Sequence, residues 1–172
     1  MTSVIKSNRM RQLGNRQFLN IESPIGLLGL VAEGGQILEV RFDPSLDGDY
    51  ATRTNVGICK SLRQAERELG QFFEGQRRQF ELPLTIRGTA FQNRVWTALC
   101  DVPFGATCSY SDLARRIGSP NSSRAVGMAL GRNPLAIVVP CHRVIGVDGS
   151  LVGFAGGLPI KRKLLEHESR FA

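Results

Sequence analysis

The apolar residues change their spacing midway along this chain of 172 residues, and that change restricts the fold more than any other feature. Before Gly88-Thr89, short apolar runs read as strands: Phe18 to Ile21, Leu27 to Ala32 and Ile37 to Phe42. They are separated by Ser23-Pro24-Ile25-Gly26 and by Gly34-Gly35. Proline presets one turn dihedral and glycine reaches positive φ, so these separators predict hairpin turns and an antiparallel meander. Residues 43–57, polar with one proline and two glycines, read as a loop. Ile58, Leu62, Ala65, Leu69, Phe72 and Phe73 then recur at helical spacing and stop at Gly75. Phe80 to Leu84 reads as one further strand.

Beyond Thr89 the period is helical. Thr89 suits the cap of a helix that buries Phe91, Val95, Trp96 and Leu99. Ser109 suits the cap of a second, with Leu113, Ala114 and Ile117 inward and Gly118 as its stop. Ser122 opens a third, with Ala125, Val126, Ala129 and Leu130 inward. The last begins near Pro159 and runs to about Glu168. The second and third have the proportions of a helix-turn-helix, although their turn is longer than the tightest examples. Arg124 falls in the first turn of its second helix, opposite Val126, where such helices approach nucleic acid. The expected class is α/β of the α+β kind: a small antiparallel sheet with a helix over 17–86, then a helical unit over 87–172. Residues 1–16 precede them as a flexible basic arm.

Charge follows the same division. The net charge is +7, but residues 1–16 carry +4, 17–86 carry −3, 87–143 carry +5 and 144–172 carry +1. The basic centre holds seven arginines and no lysine. A guanidinium presents a planar fork of donors, so an arginine surplus fits recognition of phosphate or base edges. The alternative is a solvated face of ion pairs. No run approaches the ~18 apolar residues of a membrane span, and no apolar core follows the basic N-terminus as in a signal peptide. A soluble, intracellular protein is the expectation.

Four cysteines (Cys59, Cys100, Cys108, Cys141) and two histidines (His142, His167) include no Cys-x-x-Cys pair, so neither a disulfide framework nor a zinc site is expected. Cys59 and Cys100 read as small apolar core residues. Cys141 keeps different company. The strand-like run Ile137-Val138-Val139 is halted by Pro140, and Cys141 is followed at once by His142 and Arg143. A nearby cation lowers a thiol's pKa and raises its thiolate fraction. Adjacent residues do not face each other in strands or helices, so His142 reaches Cys141 through a bridging water or a tight turn. A histidine that relays protons wants an orienting carboxylate, for which Glu168, Glu166 and Asp148 are candidates. The competing reading is a buried structural cysteine beside an exposed His-Arg pair.

Pro140-Cys141-His142-Arg143-Val144 is similar to the active-site signature of the O6-alkylguanine-DNA alkyltransferases. Phe91-Gln92-x-x-Val95-Trp96, Pro103-x-Gly105, Ser109-Tyr110, Arg124-Ala125-Val126-Gly127 and Asn133-Pro134 follow that family's order. Gly153-Phe154-Ala155-Gly156-Gly157 and Leu164-Leu165-x-His167-Glu168 complete the set. The chain resembles the family closely over 88–168 and through element order over 18–86. The resemblance implies a ribonuclease-H-like first unit and a second with a winged helix-turn-helix. It also implies direct-reversal DNA repair, in which O6-alkylguanine is flipped from the duplex and gives its alkyl group irreversibly to the protein. Cys141 is then the acceptor, and His142 deprotonates it through a water while Glu168 holds the imidazole. Tyr110 sits beside the flipped base, and Asn133 braces the turn. Arg124 fills the gap left in the stack, on a helix lying in the minor groove.

The DNA-binding set implied by the resemblance is Arg124, Ser122, Ser123, Ala125, Gly127 and Gly131, with Gly127, Ala129 and Gly131 small enough for close approach. The implied substrate pocket comprises Pro140, Val144, Phe154, Ala155 and Tyr110. Ser122-Ser123 stands where Ala-Ala is usual, Phe154 where tyrosine is common, and Ala155 where serine or glycine is common. No metal and no cofactor are expected. The implied partner is double-stranded DNA carrying O6-alkylguanine, with O4-methylthymine a second candidate lesion. The protein is expected to act as a monomer or cooperatively on DNA, away from membranes, in the cytoplasm of a bacterium or the nucleus of a eukaryote.

Overall fold

A computed structural model describes residues 16–43 and 58–172. Most of the expected basic arm and of the polar loop therefore lies outside the described residues. The first half forms a three-stranded antiparallel sheet in the order β1 (Arg16–Ile21), β2 (Leu28–Glu33), β3 (Gln36–Phe42). Gly34 and Gly35 both take positive φ, +57° and +80°, which a tight two-residue hairpin turn requires. The central strand β2 is covered on both faces, and Leu28, Leu30, Val31 and Ala32 are all buried. Helix α1 (Lys60–Phe73) packs on β2 and β3. Its Leu62, Ala65, Leu69 and Phe72 are fully buried, each large side chain contributing about 1.5–3 kcal/mol.

The expected strand at Phe80–Leu84 does not form. Leu84 makes only an isolated parallel bridge with Ile37, in which Ile37 N donates to the Pro83 carbonyl at 2.7 Å. Pro83 has no N–H to continue a ladder.

The second half consists of α2 (Ala90–Cys100), α3 (Tyr110–Arg116), α4 (Ser123–Gly131) and α5 (Leu158–Phe171). Thr89 and Gln92 form a reciprocal capping box on α2, and Ser109 and Asp112 form another on α3. Ser122 occupies the N-cap of α4 without a side-chain capping bond. Trp96 Nε1 donates to the Ala129 carbonyl at 3.0 Å and pins α2 to α4. The strand pair beside the helix-turn-helix is two residues long and parallel, β4 (Cys108–Ser109) with β5 (Val144–Ile145). It ties the start of α3 to the chain leaving Cys141. Helix α5 runs three residues past the expected end, where Arg78 donates to the Phe171 carbonyl at 2.7 Å. Cys59 is half-buried and Cys100 is exposed at the end of α2, so Cys100 is not the core residue expected. No helix among the described residues is long and apolar enough to cross a membrane.

Candidate active site

The segment between α4 and α5 carries the chemistry. Ala136 to Val139 is not the strand its composition suggests but a buried turn. Prolines at both ends exclude a regular ladder, and the backbone bonds close locally: Val138 to the Ala136 carbonyl, Val139 to that of Leu135, Cys141 to that of Val139. Ile137 is held at φ +70°, which for a β-branched residue costs about 1–3 kcal/mol. Asn133 spans the turn. Its Nδ2 donates to the Val139 carbonyl at 2.7 Å and to Cys141 Sγ at 3.2 Å, and its Oδ1 accepts from Leu135 N at 3.0 Å.

Cys141 opens a single 3₁₀ turn, Cys141–Arg143, and is 8% exposed. Burial pushes its thiol up, while the Asn133 hydrogen bond and the charge of Lys161 pull it down. Burial outweighs the expected depression by a nearby cation, and Arg143, next but one in sequence, is committed elsewhere. Its Nε donates to Glu168 Oε2 and its Nη2 to Oε1, both at 2.9 Å, and its Nη1 donates to the Val102 carbonyl at 2.6 Å. Glu168 also accepts from Gly105 N at 3.0 Å and lies 2.7 Å from His142 Nε2. Burial alone would raise the Glu168 carboxyl. The bonds from His142 and Arg143 outweigh it and bring the group to about 2.

An ionised Glu168 fixes the tautomer of His142, whose Nε2–H donates to it. The other nitrogen, Nδ1, is buried without a protein hydrogen-bond partner and keeps its lone pair. Burial lowers the His142 pKa, so the ring is neutral and basic at Nδ1. Of the three candidate carboxylates, Glu168 alone is buried; Glu166 and Asp148 are exposed.

Lys161 was not singled out by sequence reasoning. It is fully buried, and its Nζ donates to the Val144 and Val152 carbonyls at 2.6 and 2.9 Å. A signal existed: Lys161, Leu164 and Glu168 are spaced to share one helical face, so a lysine stood within an inward stripe.

A cavity of about 520 Å³ opens over Cys141. Tyr110, Ser123, Arg124, Gly127, Gly131, Phe154 and Ala155 line it with Leu130, Val152 and Gly153. Tyr110 Oη donates to the Val152 carbonyl at 3.0 Å, and burial raises its pKa, as does Cys141 beside it. Its ring lies against Gly127, where an added Cβ would meet it at 3.6 Å. Arg124 is exposed and Val126 fully buried on opposite sides of α4.

Five expected placements differ. Pro140 lines a separate cavity with Phe104 and Arg143, and Val144 is fully buried in β5. Ala129 faces the core, where its carbonyl accepts from Trp96, so it cannot ease close approach to a groove. Ser122 lies outside the cavity as the partly buried N-cap of α4, and Ala125 is half-buried beside it.

The arrangement is a buried thiol at the foot of an open cavity, backed by a neutral imidazole on an ionised carboxylate. That combination suits proton removal followed by nucleophilic attack. A family model described as 6-O-methylguanine DNA methyltransferase, DNA binding domain, matches residues 90–170. The methylated-DNA–protein-cysteine methyltransferase of Mycolicibacterium paratuberculosis is 43% identical over 157 residues, 90% of this chain and 93% of its own. The protein of that name in Methanosarcina barkeri is 51% identical over 148 residues, 86% of this chain and 94% of its own. Among solved structures, Mycobacterium tuberculosis OGT in complex with DNA matches with a TM-score of 0.80 at 42% identity, covering 91% of this chain and 94% of that one.

Proposed function

The chain belongs to the 6-O-methylguanine DNA methyltransferase family, and we propose from that membership and the geometry of Cys141 that it repairs O6-alkylguanine in double-stranded DNA by taking the alkyl group onto Cys141. The observation that carries the reading is a buried Cys141 at the foot of a cavity whose rim bears Arg124, followed in the same turn by a buried His142 held on Glu168.

Cys141 begins as a thiol, and His142 Nδ1 takes its proton through a water. Glu168 steadies the imidazolium that results. The thiolate faces the Asn133 amide and the Lys161 charge. Its sulfur attacks the alkyl carbon, an S–C bond forms, and the C–O6 bond breaks with its electron pair passing to guanine. Tyr110 at the cavity wall, its O–H turning from the Val152 carbonyl, is the donor that meets the developing negative charge. In sum the thiol proton ends on guanine, and the product thioether has no good leaving group. One protein molecule therefore accepts one alkyl group.

The alkyl carbon is out of reach in stacked DNA, so the nucleotide must leave the duplex. Helix α4 enters the minor groove, with Gly127 and Gly131 permitting approach and Arg124 occupying the emptied place. Intact-mass measurement after incubation with an O6-methylguanine duplex should show the gain of a single methyl, mapped to Cys141 and absent in Cys141→Ser. A folded wild-type chain of unchanged mass would overturn the reading.

A further inference from the structure

The cavity over Cys141 is built by the second half of the chain, yet one strand of the first half holds both of its sides. In β3, Val40 N donates to the Pro134 carbonyl at 2.8 Å, and Ala136 N donates to the Val40 carbonyl at 3.0 Å. These bonds clamp the strap that leads into the Cys141 turn. Two residues on, and so on the same face of the strand, Phe42 packs against Phe154 with ring centroids 5.3 Å apart and planes at 53°. Phe154 lines the opposite wall. The contact leaves no slack: a Cβ at Gly156 would lie 2.7 Å from Phe42 Cδ2 and 3.2 Å from Phe154 Cε1. Gly156 does not have the left-handed φ that only glycine adopts readily, so space alone demands glycine there.

We propose that Phe42 is a positioning residue that fixes the distance between the nucleophile's turn and the Phe154 wall, and thereby selects the size of alkyl group that Cys141 accepts. Displacement at carbon needs the sulfur close to the carbon and in line with the departing oxygen, and small misplacements are costly. A methyl group fills little of a cavity this size, so its alignment depends on a wall that stays put. A larger group needs that wall to retreat. With Phe42 behind it, the Phe154 ring cannot swing toward the sheet.

The inference rests on the reading of this cavity as the alkyl pocket, and the experiment separates the two. Single-turnover rates are measured on otherwise identical duplexes carrying O6-methylguanine or O6-benzylguanine. In Phe42→Ala the methyl rate should fall about tenfold and the benzyl-to-methyl ratio should rise about fivefold, with Phe42→Leu intermediate. Gly156→Ala should depress benzyl transfer more than methyl in the wild-type background, and cost little once Phe42→Ala has removed the ring it meets. Proportional losses on both substrates, as a merely structural ring would produce, overturn the proposal. So does an equal cost of Gly156→Ala in both backgrounds. Failure of the wild-type chain to transfer either group would instead bring down the reading of the site itself.

Discussion

The two sides of Cys141 are built on opposite plans. Behind it lie His142, Arg143, Lys161 and Glu168, all buried, with their charges and donors bound to one another or to backbone carbonyls. In front lies α4, whose Arg124 stands exposed at a rim lined by glycines and whose Met128 is exposed one helical turn on. The inner side fixes protonation states and positions in advance of any substrate. The outer side has its polar and apolar groups free for a partner that supplies what is missing. Substitutions should therefore separate. Inner changes should damage chemistry and stability together on every substrate, and outer changes should damage only reactions that need the duplex.

The largest effect is expected from Glu168→Gln. The amide still faces His142, but the guanidinium of Arg143 loses its countercharge in a buried site, which typically costs about 3–5 kcal/mol. At 172 residues that amounts to a melting temperature lower by roughly 10 °C. Transfer from duplex and from free O6-benzylguanine should slow together by about a hundredfold, because the imidazolium is no longer stabilised. A variant that melts as wild type, or that loses activity on the duplex alone, would break the inner–outer division.

Acid should reach the same interior without mutation. Glu168 moves from an ordinary value of 4.5 to about 2 in the fold, so its stabilisation is fully present above 4.5 and is lost as pH falls toward 2. At ~1.36 kcal/mol per pKa unit the loss totals roughly 3 kcal/mol. His142 acts in the same sense. Its folded pKa is depressed by burial, so its contribution begins to fall as pH drops below 6.5. Denaturant midpoints recorded from pH 7 to 3 should decline in both windows. In Glu168→Gln the decline below pH 4.5 should shrink while the earlier one persists.

The outer plan was more legible in the sequence than the inner one, for a physical reason. Helix caps, turns and the apolar faces of α1 to α4 are local, and Thr89, Ser109 and Gly118 announce themselves by residue type. Arg124 opposite Val126 follows from helical period alone. The interior depends on contacts far apart in the chain. Nothing near Arg143 says that its partner lies 25 residues on, and by composition it is one of seven arginines in a basic stretch. Ile137-Val138-Val139 has the composition of a strand, and only the hydrogen bonds of Asn133 and Val40 explain why it turns. Pro140 and Val144 flank the nucleophile in sequence, but the 3₁₀ turn sends them away from its cavity.

The smallest effect, and the sharpest test of the outer side, is Arg124→Ala. Burial and ion pairing are not at stake, since the side chain is exposed, and folding should be unchanged. If Arg124 stands in for the extruded base, its loss removes stacking within the duplex, so repair of O6-methylguanine DNA should slow about tenfold. Reaction with free O6-benzylguanine needs no extrusion and should keep its rate. Salt dependence distinguishes this role from phosphate neutralisation. A phosphate contact contributes ~0.9 to the slope of log affinity against log salt, so losing one flattens the slope by that amount. A residue inside the stack releases no counterion, and Arg124→Ala should weaken binding at every salt concentration with the slope preserved. A flattened slope would move Arg124 into the set of charges that hold the backbone, and the outer face would then read as electrostatic rather than as a substitute for the displaced base.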